Sequence, residues 1–301
     1  MNLLLPFQFH HLPVRGRLLR LHGLNTAIPS LAEDTACTQT LTELLAAAAL
    51  LAYDTKHTLN VGLQIQHPGL GALLFAQANR GMAEGIPTTE LRAYANPAAR
   101  GTPFSSLTSQ EGGMFVVTLE NPAAALSGST DGRYQSFVPL TAPSAAGCLE
   151  EYFASSVQTP THLAVWAGHG ALAGHAAALM LQALPHETLT DDDWTRLKLL
   201  LGTITPEEIM GETAPETLLA NLFAEDDVSV FAPETPVLAR PDPRARMLAA
   251  LAALPPEELA EIRQQGTVTL TDDTTGTSVT FTAEELAHLH ENTPTTPENV
   301  Q

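Results

Sequence analysis

Cysteine is almost absent from this chain. Its 301 residues hold only Cys37 and Cys148, too few for a disulfide framework and in keeping with a reducing compartment such as the cytoplasm. Lysine is as scarce. Lys56 and Lys198 are the only two, and neither follows a glycine, which excludes a Walker-type phosphate loop. Aromatic residues make up 5%, so the core is left mostly to Ala, Leu and Val. No apolar run reaches the roughly 18 residues of a membrane span, and "LLAAAALLAY" (44–53) reads as a buried helix. The opening "MNLLLPFQF" is short and lacks a basic leader, so it does not read as a signal peptide. No Gly-x-Ser-x-Gly elbow occurs, and "GLGALLF" lacks the third glycine of a dinucleotide turn.

Acid is what the chain has in excess. Lys and Arg total 14 against 33 Asp and Glu, a net charge of −19. Such a chain repels phosphate backbones and anionic lipid, which speaks against nucleic-acid and membrane partners. The excess is uneven. Residues 185–235 carry 12 acidic side chains against Arg196 and Lys198, about half of the whole imbalance. Hydrophobic residues make up 44%, enough for a substantial core.

Periodicity divides the chain into three regions. Over residues 1–184, strand patterns at 58–65, 114–120, 133–140 and 161–168 alternate with helix patterns at 38–53 and 144–156, the latter with Ser144 as N-cap. Helices between mostly non-adjacent strands predict an α+β core with a mixed sheet. Residues 185–236 read as all helix. Thr190 caps a helix with three Asp residues in its first turn, where the helix dipole favours them. Thr205, Pro206 and Gly211 punctuate a second helix, and "PETLLANLFAEDD" gives a third. The apolar side chains Trp194, Leu197, Leu200, Leu201, Ile204, Leu218, Leu219, Leu222 and Phe223 form stripes along these helices. Isolated helices this short are marginal in water, so the stripes must pack on something. Residues 237–291 read as a small domain: a helical pattern broken at Pro255-Pro256, a β-hairpin in "VTLTDDTTGTSVTF", and the helix "TAEELAHLH". Its expected core is Val237, Leu238, Met247, Leu248, Leu251, Leu254, Leu259, Ile262, Val268, Leu270, Val279, Phe281 and Leu286. Residues 292–301 read as a disordered tail.

Catalytic chemistry finds little support. His162, His169 and His175 lie near one another in sequence without metal-site spacing. In "HLHE" (288–291) the two imidazoles point about 200° apart on a helix, which suits a solvated helix end. Cys148 sits in an amphipathic stretch beside Glu150 and Glu151, and acidic neighbours raise a thiol pKa and disfavour the thiolate.

Taken in order, "PVRGRLLRL" (13–21), "LTELLAAAALLA" (41–52), "TLNVGLQIQHPGLGALLFAQANRGMAEG" (58–85), "GRYQSFVPL" (132–140), "CLEEYFASSVQTPTHL" (148–163) and "LLANLFAEDDVSVFAP" (218–233) resemble the redox-regulated thirty-three-kilodalton heat-shock chaperone family. The resemblance covers about residues 7–291. It implies an ATP-independent holdase that binds unfolding proteins, with an α+β core, a helical linker across it and a small C-terminal domain. In typical members that domain holds zinc through a Cys-x-Cys and a Cys-x-x-Cys pair. Oxidation of those cysteines releases the linker.

The chain departs from the family at that switch. The four cysteine positions fall on Arg240, Asp242, Asp272 and Thr275. Two carboxylates with an arginine make a salt-bridge cluster rather than a zinc site. The expectation is a branch without the thiol switch, with no metal or other cofactor, no catalytic residues, and unfolded proteins as partners. The apolar stripes of the linker would be the client surface, and a homodimer is left open. A regulatory adaptor with one dedicated partner is the alternative. An enzyme built on the histidines from His162 to His175 is a third reading.

Overall fold

The computed structural model describes residues 1–53, 60–83, 86–109, 112–121, 132–185, 189–239, 242–252, 254, 256–264, 266–271 and 278–287. Two compact units emerge, Met1–Arg240 and Pro241–Gln301.

The first unit is organised around one helix held between two sheets. The short helix α1 (Leu24–Ala27) precedes α2 (Thr38–Tyr53), in which 13 of 16 residues are buried. A helix that is apolar all round belongs in an interior, and its four consecutive alanines, Ala46–Ala49, let both sheets approach closely. One sheet has the order β10-β1-β2-β9-β8, formed by Val228–Val230, Leu3–Phe9, Val14–His22, His175–Ala183 and Thr161–Ala167, all antiparallel. The other has the order β11-β5-β4-β3-β6-β7, formed by Val237–Leu238, Ile86–Ala95, Ala72–Ala83, Asn60–His67, Met114–Glu120 and Arg133–Val138. Its β11–β5 pair is parallel and the rest antiparallel, so this is the mixed sheet the pattern predicts. Short helices α3 (Pro97–Arg100) and α4 (Phe104–Ser109) lie in connections, and α5 (Ala145–Ser155) packs beside α2. Ser144 caps α5, its hydroxyl accepting from the Gly147 amide at 3.0 Å.

Three helices then cover the outer face of the five-stranded sheet: α6 (Asp191–Leu201), α7 (Pro206–Met210) and α8 (Pro215–Leu222). Thr190 caps α6, and Thr205 with Glu208 forms a full capping box on α7. The chain after α8 runs as a strap. It pairs with β1 through β10 and with β5 through β11.

In the second unit, α9 (Pro243–Ala252), α10 (Pro256–Gln264) and α11 (Ala283–Ala287) pack with the hairpin β12 (Thr267–Thr271) and β13 (Ser278–Thr282). Met247, Leu251, Leu259, Phe281 and Leu286 are buried, flanked by Leu248, Leu254, Ile262, Val268, Leu270 and Val279. Val237 and Leu238 are absent from this core, contrary to expectation. They form β11 against Glu90 and Leu91 of β5 in the first unit, because the open backbone edge of β5 offers them hydrogen bonds that the small core does not.

Candidate functional site

The apolar stripes of the acidic segment converge on one surface. Trp194, Leu197, Leu200, Leu201, Ile204, Leu218, Leu219, Leu222 and Phe223 all belong to one cluster with Leu5, Phe7, Phe9, Val14, Leu18, Leu179 and Leu181 of the sheet. Six of the nine are buried, while Trp194, Leu200 and Leu222 are half-buried. As folded, this surface is closed.

Aromatic packing anchors the layer. The Phe223 ring lies 4.9 Å from Phe9, edge to face, and 5.9 Å from Phe7, a geometry that adds about 0.5–1.5 kcal/mol per pair beyond burial. Phe7 faces Gly16 directly across β1 and β2. A Cβ at Gly16 would stand 2.0 Å from the Phe7 ring. Only glycine leaves room there, which gives the Val14-Arg15-Gly16 motif a physical meaning.

Polar contacts fix the layer's ends. Arg196 of α6 grips Asp226 with two hydrogen bonds, of 2.9 and 2.7 Å, and this pairing raises the guanidinium pKa. Arg20 of β2 is buried beneath the α7–α8 connection and donates to the Thr213 carbonyl at 2.7 Å. Among the described residues its Nε and second Nη have no hydrogen-bond partner. Burial pushes this guanidinium's pKa down, against the attraction of Glu216. In the strap, Glu234 is buried and its backbone pairs with Leu4 on both sides, at 2.8 and 2.9 Å. Its carboxylate takes Arg80 at 3.1 Å and the Thr89 hydroxyl. Arg80 also caps the Tyr53 carbonyl and lies over the Tyr53 ring, 4.6 Å from its centre. Sequence reading missed Arg20, Arg80 and Glu234. A charge in a strand or loop gives no sign of burial until its partners, here up to 193 residues away, are known.

The enzyme reading loses its geometry. His162 stands 3.0 Å from Glu150, His169 stands 2.8 Å from Asp34, and His175 faces His22 with ring centres 4.7 Å apart. Asp34 and His175 line one depression of about 50 Å³, and His162 is not among its lining residues. Among the described residues no group of three or more His, Cys, Asp or Glu could hold a metal. "HLHE" lies outside the described residues.

Both thiols are fully buried in the core around α2. Burial pushes the Cys37 and Cys148 pKa values up. For Cys148 burial is partly opposed by hydrogen bonds to the Ala142 and Thr141 backbone, and the acidic contribution, smaller than these, comes from Glu151 and Glu43. Glu150, expected to contribute, turns away to accept the Leu163 amide at 2.8 Å. Of the four positions corresponding to the family's zinc ligands, Asp242 is exposed, and Arg240, Asp272 and Thr275 lie outside the described residues. None is a thiolate, and the only two sulfhydryls of the chain are locked in the first unit. This donor set does not fit the family's zinc.

The family model "Hsp33 protein" matches residues 2–282. A protein named "33 kDa chaperonin" from Haemophilus ducreyi is 31% identical over 290 residues, 95% of this chain and 92% of that protein. Its namesake from Serratia proteamaculans is 32% identical over 83% of this chain and 81% of its own length. The crystal structure of the 33 kDa chaperonin from Thermotoga maritima superposes with a TM-score of 0.70 at 20% identity, covering 96% of this chain and 98% of that one. That structure shares the α+β fold. Among the described residues no helix is long and apolar enough to cross a membrane.

Proposed function

Since the chain belongs to the Hsp33 family of chaperones, we propose that it is an ATP-independent cytoplasmic holdase whose client surface is the apolar interface between α6–α8 and the sheet. The observation that carries this reading is the convergence of all nine stripe residues on one sheet face. A promiscuous binder needs a contiguous apolar patch. This one is stored beneath a helical layer that carries a large excess of negative charge. Twelve acidic side chains over residues 185–235 face two basic ones, so self-repulsion opposes docking. Segments of this kind open locally at modest free energy.

Control does not run through zinc or thiols in this reading. The ligand positions carry no cysteine, and both sulfhydryls are buried with raised pKa values, where the thiolate that oxidants attack is scarce. Activity is constitutive, or appears on mild warming as the layer loosens. A chaperone of this kind performs no catalysis and needs no cofactor. Aggregation of several unrelated heat-denatured proteins tests the reading. Protection of most of them is expected. Protection of one alone would point to an adaptor with a dedicated partner.

A further inference from the structure

Three of the four outer strands of the two sheets have their backbone edges covered or cut short. On β8 the Leu163 amide is taken by Glu150 and the Val165 carbonyl by Gln39. At one end of the six-stranded sheet the edge strand β11, which covers β5, is two residues long. The edge strand β10 is three residues long, and very short edges are poor templates. The six-residue β7 is different. The Asn121 amide donates to Gly132 at 2.7 Å. Hydrogen-bonded pairs alternate along an antiparallel ladder, so Tyr134, Ser136 and Val138 bond to β6. Arg133, Gln135 and Phe137 therefore turn their amides and carbonyls outward. Among the described residues nothing meets them.

The side chains at this edge suit a guest strand. Tyr134 and Phe137 are 55% and 69% exposed, two of the few large exposed hydrophobics, on opposite faces of one strand. Tyr134 lies on the side of α5, near Tyr152. Phe137 lies on the open face, where Val116, Gln64 and Phe75 continue its row across the sheet. A depression of about 330 Å³ lies alongside, lined in part by Gln64, Phe75, Val116, Thr118 and Gln135.

We propose that the outward edge of β7 takes an extended segment of an unfolding protein as an added strand. The proposal rests on the holdase reading and gives it a second client site, open while the helical layer is still docked. Main-chain pairing is indifferent to sequence, and alternate apolar side chains of the guest find Phe137 or Tyr134 on either face. A second copy of the chain is the weaker occupant, because it brings another net charge of −19.

The test uses the full chain and reduced, carboxamidomethylated ribonuclease A as a permanently unfolded probe without excess negative charge. Binding should slow hydrogen exchange at the Gln135 and Phe137 amides. Gln135→Pro removes an outward backbone donor, no backbone bond to β6 and one exposed side-chain bond to Thr118, so it should weaken binding about fivefold relative to Gln135→Ala, which loses only that side-chain bond, with the two variants alike in thermal stability. If the wild-type protein binds the probe with neither amide protected, the edge is not the site and the holdase reading stands. Protection that depends on protein concentration without the probe would make a second copy the occupant and overturn the proposal. If the wild-type protein fails to bind the probe at all, the holdase reading falls and takes the proposal with it.

Discussion

Replacing Gly16 by alanine loosens the helical layer without removing any apolar surface. The added Cβ would stand 2.0 Å from the Phe7 ring, whereas ordinary carbon contacts lie at about 3.5–4.0 Å. The ring must shift by about 1.5 Å or more. It is 1% exposed and packed against Phe9 and Phe223, so the shift is transmitted to Phe223 and the end of α8. Overpacking of this kind costs about 1–3 kcal/mol. Charged to the docked state alone, that raises the open fraction of the layer by about 5- to 150-fold. Hydrogen exchange separates the outcomes. Amides of α6–α8 should exchange faster by that factor while those of α2, between the sheets, keep their protection. Light scattering of a heat-denatured client should then show greater suppression at ambient temperature than with the wild-type protein. Unchanged exchange in the layer would refute the steric reasoning. Equal acceleration in α2 would show that layer and sheets open as one unit.

Further outcomes follow from other residues. Cys37→Ser combined with Cys148→Ser should leave chaperone activity the same with and without peroxide, because both thiols are buried and protonated; loss of a peroxide response would reveal a relocated thiol switch. Phe281→Ala should cost about 3–5 kcal/mol, as much as a core of this size supplies, and hydrogen exchange should show residues 247–286 opening while the first unit stays protected. Glu43 is buried and accepts from Gln39 at 2.9 Å and the Ala146 amide at 3.0 Å, and burial pushes its pKa up. The native state therefore holds that proton more tightly than the unfolded chain. Stability contributed there falls as pH rises from the ordinary glutamate value of about 4.3 through the raised native value. Denaturant midpoints across that window should decline for the wild-type protein and lose this slope in Glu43→Gln; identical slopes would contradict the assignment.

The helices were the most legible part of the fold. Caps at Ser144, Thr190 and Thr205 mark helix starts at those residues in the structure, because a capping side chain satisfies local backbone donors and needs no distant partner. The strands at 114–120, 133–138 and 161–167 carried enough pattern to be seen. Strands β1, β2 and β9 did not announce themselves as elements. β2 and β9 are buried on both faces, between α2 on one side and the helical layer on the other, so the period of two is lost. β1 contains Pro6, which argues against a strand. There the Pro6 carbonyl accepts from Phe231 on the strap side, so the missing amide falls on that side and the β1–β2 ladder loses nothing. The nine stripe residues that pack on the sheet were legible as apolar helix faces from spacing alone. Their receptors Phe7, Phe9 and Leu181 were not, since no local signal says which sheet face a distant helix will cover.

The most direct measurement is light scattering of a heat-denatured client with the freshly reduced protein, at ambient and raised temperature, with and without peroxide. The account predicts suppression of aggregation in the reduced protein, rising with temperature as α6–α8 loosen and indifferent to peroxide. A reduced protein that is inert at every temperature below its global unfolding, and that gains activity on adding peroxide, would contradict it.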